Sequence, residues 1–237
     1  MSSRERIWLE ALKEYMIDAT SAAAAEHWPS RGTVAQPFYN YRLEHILQVE
    51  RDVTRIAAVE HGDMDVLLAA VWIHDRYQPQ FGGPQHAQKA ARWAMDCLDE
   101  LGFPHHKIKD VCQAILLHSR KAMDIPANCH EARIFWDADH VSRCGPVDVL
   151  NYILCHSADD FLCELPENGE FPSGAITVHD FVPLLLERRP QLYRSDWYYF
   201  DEARRMARER IQAARGFLDC LEGQLYTNIQ ALRRCAY

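Results

Sequence analysis

The sequence predicts an all-α fold: a helical bundle with a core of about five helices and additional helices at both ends. Three observations predict it. Apolar residues recur at helical spacing along nearly the whole chain. No segment sustains the two-residue alternation of a half-buried strand. Proline and glycine fall between the periodic runs, where turns belong.

Residues 4–25 form an Ala-rich amphipathic helix with Ile7, Leu12, Met16 and Ala19 near one face. The segment HWPSRGTVAQPFYN (27–40) is a loop. Helix returns over Tyr41–Glu60, with Ile46, Val49, Val53 and Ile56 on one side. Asp63 or Asp65 opens the next helix, which runs to about His74; its residues 66–73 are apolar on all sides, so it is central and buried. Residues 76–85 are a loop, and 85–101 a helix with Ala87, Ala90, Ala94 and Leu98 inward. GFPHH (102–106) interrupts the chain. Helix resumes over 107–119, with Ile108, Val111, Ile115 and His118 along one stripe. A short helix follows over 131–140. Pro146 suits the first position of a helix over 146–158, where a missing N–H costs nothing. Residues 164–176 are a polar loop, Thr177 can cap a helix over 177–188, and 200–225 form a long final helix. The expected organisation is an N-terminal helical extension (1–37) packed on a single globular unit (38–237) that includes the C-terminal helices.

Composition bounds the function. The 237 residues carry a net charge of -8, which argues against binding a nucleic acid polymer or an anionic membrane. No apolar run approaches the ~20 residues that span a bilayer. The charged start MSSRERIWLEALKEYM lacks the apolar stretch of a signal peptide, so a cytoplasmic location is expected. The 8 cysteines are scattered and form no C-x-x-C pair, so they are expected to be reduced, mostly buried small hydrophobes.

Twelve histidines are many for this length, and most sit near helix ends or in loops. His45, His74, Asp75, His118 and Asp139, with His86 as a sixth, form an ordered series on separate apolar helices. A buried imidazole or carboxylate is costly unless paired or bound to metal. Singly, each is accounted for by a core hydrogen bond or a helix cap. Together they are most simply explained by convergence on one cation. Imidazole mixed with carboxylate suits Zn, Mn, Fe, Ni or Co rather than Ca.

The order H … HD … D over consecutive helices resembles the HD-domain superfamily of metal-dependent phosphohydrolases, in particular small bacterial HD hydrolases. The matching segments are YNYRLEHILQV around His45, LLAAVWIHD at His74–Asp75 and EARIFWDADHVSRCG around Asp139. The closing helix EARRMARERIQAARGFLDCL is also similar, so the resemblance covers residues 38–225. It implies an HD-domain bundle, a metal held by His45, His74, Asp75 and Asp139, and hydrolysis of a phosphate ester of a nucleotide or other small molecule. Asp137 is second choice to Asp139. Asp75 would ligate metal and orient the nucleophile. His86 and His118 match positions that supply a second metal's ligands or contact phosphate. The segment HDRYQPQFGG departs from the family's usual small turn after the HD pair.

Arg76, Arg120 and Lys121, beside these residues, are candidates to grip substrate phosphate, with Arg204 and Arg208 a further basic pair one helical turn apart. The full series H … HD … H … H … D also fits HD-fold mixed-valent di-iron oxygenases, although His86 follows Asp75 by only 11 residues. A third reading is a non-catalytic ligand-binding module. Apolar surface on the first helix could serve a homodimer or an internal contact.

Overall fold

The computed structural model describes residues 6–27, 40–77, 84–151 and 194–235. The expected loop at 164–176 and helix at 177–188 lie outside these residues, as does most of the 27–40 segment. The described elements are α1 (Ile7–His27), α2 (Tyr41–Glu60), α3 (Met64–Ile73), α4 (Pro84–Glu100), a 3-10 turn (His105–Lys107), α5 (Ile108–Leu117), α6 (His130–Ser142) and α7 (Asp201–Cys235). Among the described residues there is no strand, and no helix is long and apolar enough to cross a membrane.

Contacts divide the chain into two compact units, Met1–Ser142 with Trp197–Ala203, and Arg143–Asp196 with Arg204–Tyr237. In the first, α2 to α6 make the five-helix core: α2 packs on α3 and α6, α3 on α4, α5 and α6, and α5 on α4 and α6. Helix α1 lies against α2 and α3, burying Leu12 and Met16.

Helix α3 sits at the centre, as its composition requires: every residue from Val66 to Ile73 is buried. Asp63 caps it, its side chain accepting from the N–H groups of Asp65 and Val66. Asp63 and Asp65 also pair with Lys107, and Arg6 reaches Asp65. Helix α2 opens on Asn40, whose side chain accepts from the Leu43 N–H. It buries Ile46, Val49, Val53 and Ile56 as one stripe, with His45 in the same stripe. At the end of α4, Gly102 takes a left-handed φ of 73° while the Phe103 N–H reaches back to the Leu98 carbonyl. That reversal suits glycine and sets α4 antiparallel to α5.

Several helix ends differ from expectation. Helix α5 stops at Leu117, because His118 is its C-cap and the Arg120 N–H turns back to the Leu117 carbonyl. Helix α6 is longer at both ends than 131–140, and α7 runs to Cys235 rather than 225. In the second unit, residues 146–151 are helical from Pro146 onward; α7 buries Met206, Ala207, Ile211, Ala214 and Leu218 there. Of the cysteines described, Cys97, Cys112, Cys129, Cys144 and Cys220 are free, but only Cys129 and Cys144 are buried.

Candidate metal centre

Packing of these helices brings all six residues of the ordered series together. His45 comes from the buried face of α2, His74 and Asp75 from the end of α3, His86 from the first turn of α4, His118 from the end of α5, and Asp139 from α6. All six are buried. They form two adjoining triads whose ligand atoms lie mutually within 4.8 Å: His45–His74–Asp139 and Asp75–His86–His118.

In the first triad, His45 Nε2 stands 3.0 Å from Asp139 Oδ1 and 3.3 Å from His74 Nε2. In the second, His86 Nε2 is 3.0 Å from His118 Nε2. Asp75 lies between the two. Its Oδ2 is 3.7 Å from His45 Nε2 and 3.5 Å from His74 Nε2. Its Oδ1 is 3.7 Å from His86 Nε2 and 3.8 Å from His118 Nε2. One carboxylate thus offers an oxygen to each triad.

Hydrogen bonding on the far side of the rings fixes what they present. His74 Nδ1 is 2.8 Å from the Val71 carbonyl and His118 Nδ1 is 2.5 Å from the Ile115 carbonyl. A carbonyl only accepts, so both Nδ1 atoms carry hydrogen and the neutral rings present bare Nε2 lone pairs. The Ser142 hydroxyl donates to the Asp139 carbonyl at 2.6 Å, which leaves its oxygen to accept from His45 Nδ1 at 3.4 Å. Three bare Nε2 atoms therefore face carboxylate oxygens and one another. A buried cluster of acceptors demands a positive occupant, either added protons or a cation. Imidazole nitrogens with carboxylate oxygens suit a divalent transition metal.

The local electrostatics agree. Burial pushes the His74 imidazole down, yet Asp75, Asp139 and the Val71 carbonyl raise it above its ordinary value. Burial pushes the Asp75 carboxyl up, but His74, His118 and His45 hold it well below the usual carboxylate range.

Asp137, two residues from Asp139, does a different job. A two-residue step turns a helix by about 200°, so the two side chains leave α6 on opposite sides. Asp137 accepts the N–H groups of Tyr199 and Phe200, each at 2.9 Å. It anchors the segment that leads into α7.

Arg76 is also used differently from its expected role in gripping phosphate. Its guanidinium lies against the rings of Trp93, Tyr15 and Tyr77 and donates to the Tyr15 hydroxyl. Arg120 and Lys121 are exposed; Arg120 lines a cavity of about 660 Å³ together with Ala87, Gln88 and Ser119. Arg204 is half-buried and Arg208 exposed, both in the second unit.

Arg42 was not among the sequence candidates. It is buried on α2, one turn before His45. Burial lowers its pKa, and the charge of Asp75 works against that shift. Among the described residues its hydrogen bond is a long one, 3.4 Å from Nη1 to the Arg76 carbonyl. The signal was present in RLEH, where an arginine three residues before a buried histidine shares its helix face.

A family model described as HD domain matches residues 42–144. Residues 42–144 of this chain make up an HD domain. The matched region contains all six residues of the two triads. Solved structures share the fold. Bacillus subtilis YpgQ aligns with a TM-score of 0.62 at 16% identity, over 92% of this chain and 95% of that one. YpgQ in complex with ADP aligns with a TM-score of 0.59 at 16% identity, over 92% of this chain and 96% of that one. A predicted HD superfamily hydrolase from an uncultured Thermotogales bacterium gives 0.53 at 18% identity, over 90% and 92% of the two chains. Comparison with curated proteins finds no match.

Proposed function

We propose that this HD-domain protein is a metal-dependent phosphohydrolase that cleaves a phosphate ester of a nucleotide or other small molecule. The observation that carries the reading is the Asp75 carboxylate, which turns one oxygen to each of two buried histidine pairs. Such a set suits two cations, one held by His45, His74 and Asp139 and one by His86 and His118, with Asp75 shared between them. Ions bound there would lower the pKa of water toward ~7 and polarise a phosphoryl oxygen.

The chain's own groups supply the rest. Asp75 would hold the cations through its two oxygens and orient the attacking water between them. Val71, Ile115 and Ser142 keep the three imidazoles in the tautomer that leaves Nε2 bare. Arg42 offers a buried positive charge beside Asp75 for the phosphoryl group. Arg120 and Lys121 offer exposed charge for the outer part of the substrate. The YpgQ complex with ADP supports a nucleotide as substrate class.

A second reading is favoured by the convergence of all six residues. The short spacing from Asp75 to His86 does not keep His86 away from His118, so an HD-fold di-iron oxygenase fits the same ligand set. Anaerobic purification, metal analysis and a phosphate-release assay over a nucleotide panel separate the two. Release that requires a divalent metal and stops in Asp75→Ala is the expected result. Two irons per chain, with O2 consumption and no phosphate release, would replace the proposal by the oxygenase. No bound metal and no turnover would leave a non-catalytic module.

A further inference from the structure

Arg76 follows Asp75 directly, yet it is held by aromatic faces. Its guanidinium lies 4.4 Å from the Trp93 ring centre, 5.0 Å from that of Tyr15 and 5.1 Å from that of Tyr77. Tyr15 and Trp93 are themselves stacked at 5.2 Å. Arg76 Nε is buried with no hydrogen-bond partner, while Nη2 donates to the Tyr15 hydroxyl. We infer that this box, built by Tyr15 of α1, Trp93 of α4 and Arg76, is a positioning device for the Asp75–His86–His118 half of the centre, so that α1 governs occupancy of the second cation position. The inference rests on the two-cation reading above.

The box touches that half at two points, beside Asp75 and along the face of α4 that carries His86, and reaches the other half only through the shared Asp75. Arg76 fixes the backbone next to Asp75, helped by the Ile73 carbonyl, which accepts its N–H at 3.0 Å. Trp93 lies seven residues past His86 on α4, hence two turns along the same helix face. Holding Trp93 against Arg76 therefore sets the face of α4 that carries His86 relative to Asp75. The ligands His45, His74 and Asp139 sit on α2, the end of α3 and α6; among the described residues neither α2 nor α6 supplies a ring to the box, and α2 meets Arg76 at its backbone carbonyl, through a long hydrogen bond from Arg42. Stacked rings clamp a planar guanidinium in one orientation, which a lysine cannot reproduce. Supporting groups of this kind change metal affinity by about 10–100-fold when lost.

The test is a calorimetric titration of the metal-stripped full chain with Mn2+, with the spin-coupled Mn–Mn resonance as a second readout. Wild type is expected to bind in two steps. Tyr15→Leu and Arg76→Met should keep the first step within about twofold and weaken the second by about 10–100-fold, with loss of the coupled signal. Tyr15→Phe keeps the ring and should show a smaller loss of the second step alone. Equal weakening of both steps, or two unchanged steps in these variants, overturns the inference and leaves the two-cation reading intact. A single step in wild type overturns that reading and the inference with it. If the larger changes prevent folding, Tyr15→Phe and Arg76→Lys decide, and an unchanged second step in both counts against the box.

Discussion

Asp137 and Asp139 stand two residues apart, equally buried, and should fail in opposite ways. Asp137→Ala removes a carboxylate that accepts two backbone N–H groups at 2.9 Å. Hydrogen bonds to a charged group contribute about 1.5–3 kcal/mol each, so the loss is about 3–6 kcal/mol. That is a large share of the ~5–15 kcal/mol that holds a typical domain together. Asp137→Asn keeps one acceptor and should fall between. Asp139→Ala instead removes an acceptor from a cluster already rich in acceptors. It should cost little stability in the metal-free protein and abolish binding at the His45–His74 position. Urea denaturation of metal-free protein, with metal titration in parallel, reads both effects. The reasoning is refuted if Asp137→Ala keeps its denaturation midpoint and loses metal, or if Asp139→Ala unfolds and the surviving fraction still binds.

Other outcomes follow from the same structure. Adding a divalent transition ion at 100 times its Kd should stabilise the chain by about 2.7 kcal/mol, a rise of roughly 5–10 °C in Tm by calorimetry; an unchanged Tm would mean that protons alone satisfy the cluster. Arg42→Met should lower kcat/KM for a phosphate substrate by about 10–100-fold with metal stoichiometry unchanged, since it removes one charged hydrogen bond to substrate. Burial pushes the Asp65 carboxyl up, but Lys107 and Arg6 bring it below its ordinary value. The group's folded pKa is thus depressed, and its stabilisation is present above the unfolded value of about 3.9 and lost as pH falls through the folded one. The Tm difference between wild type and Asp65→Asn should therefore be full near neutral pH and vanish in strong acid. Gly102→Ala, at φ 73°, should cost about 1 kcal/mol in denaturant and leave metal binding untouched.

The helices and the six buried polar residues were legible because each writes a local pattern. Helix α3 is apolar all round, so its burial could be read directly, and His45 falls in the stripe of Ile46, Val49 and Val53. The resemblance set His86 and His118 apart from the other four; that Asp75 turns one oxygen to each set was not legible, because it depends on how the end of α3 meets the start of α4. The fate of Arg76 was hidden for the same reason: Tyr15, which holds it, lies 61 residues away. Asp137 and Asp139 share one short motif, and only a distant N–H pair distinguishes them. Arg42 stands one turn before His45 on the same helix face, but arginine is rarely buried without a partner, so its burial is a product of tertiary packing that the local pattern does not carry.

The same two carbonyls that fix the tautomers of His74 and His118 belong to the last turns of α3 and α5. Both helices therefore end at the cluster, each bringing the equivalent of roughly half a negative charge. Together they add about one negative charge to those of Asp75 and Asp139 before any ligand arrives. The backbone itself is thus polarised against an anion at this point. A phosphate approaching the centre without a cation meets repulsion from both carboxylates and both helix ends. Loading should be ordered: cation first, then substrate, and by linkage a substrate phosphate should tighten the cation by the same factor that the cation tightens the substrate.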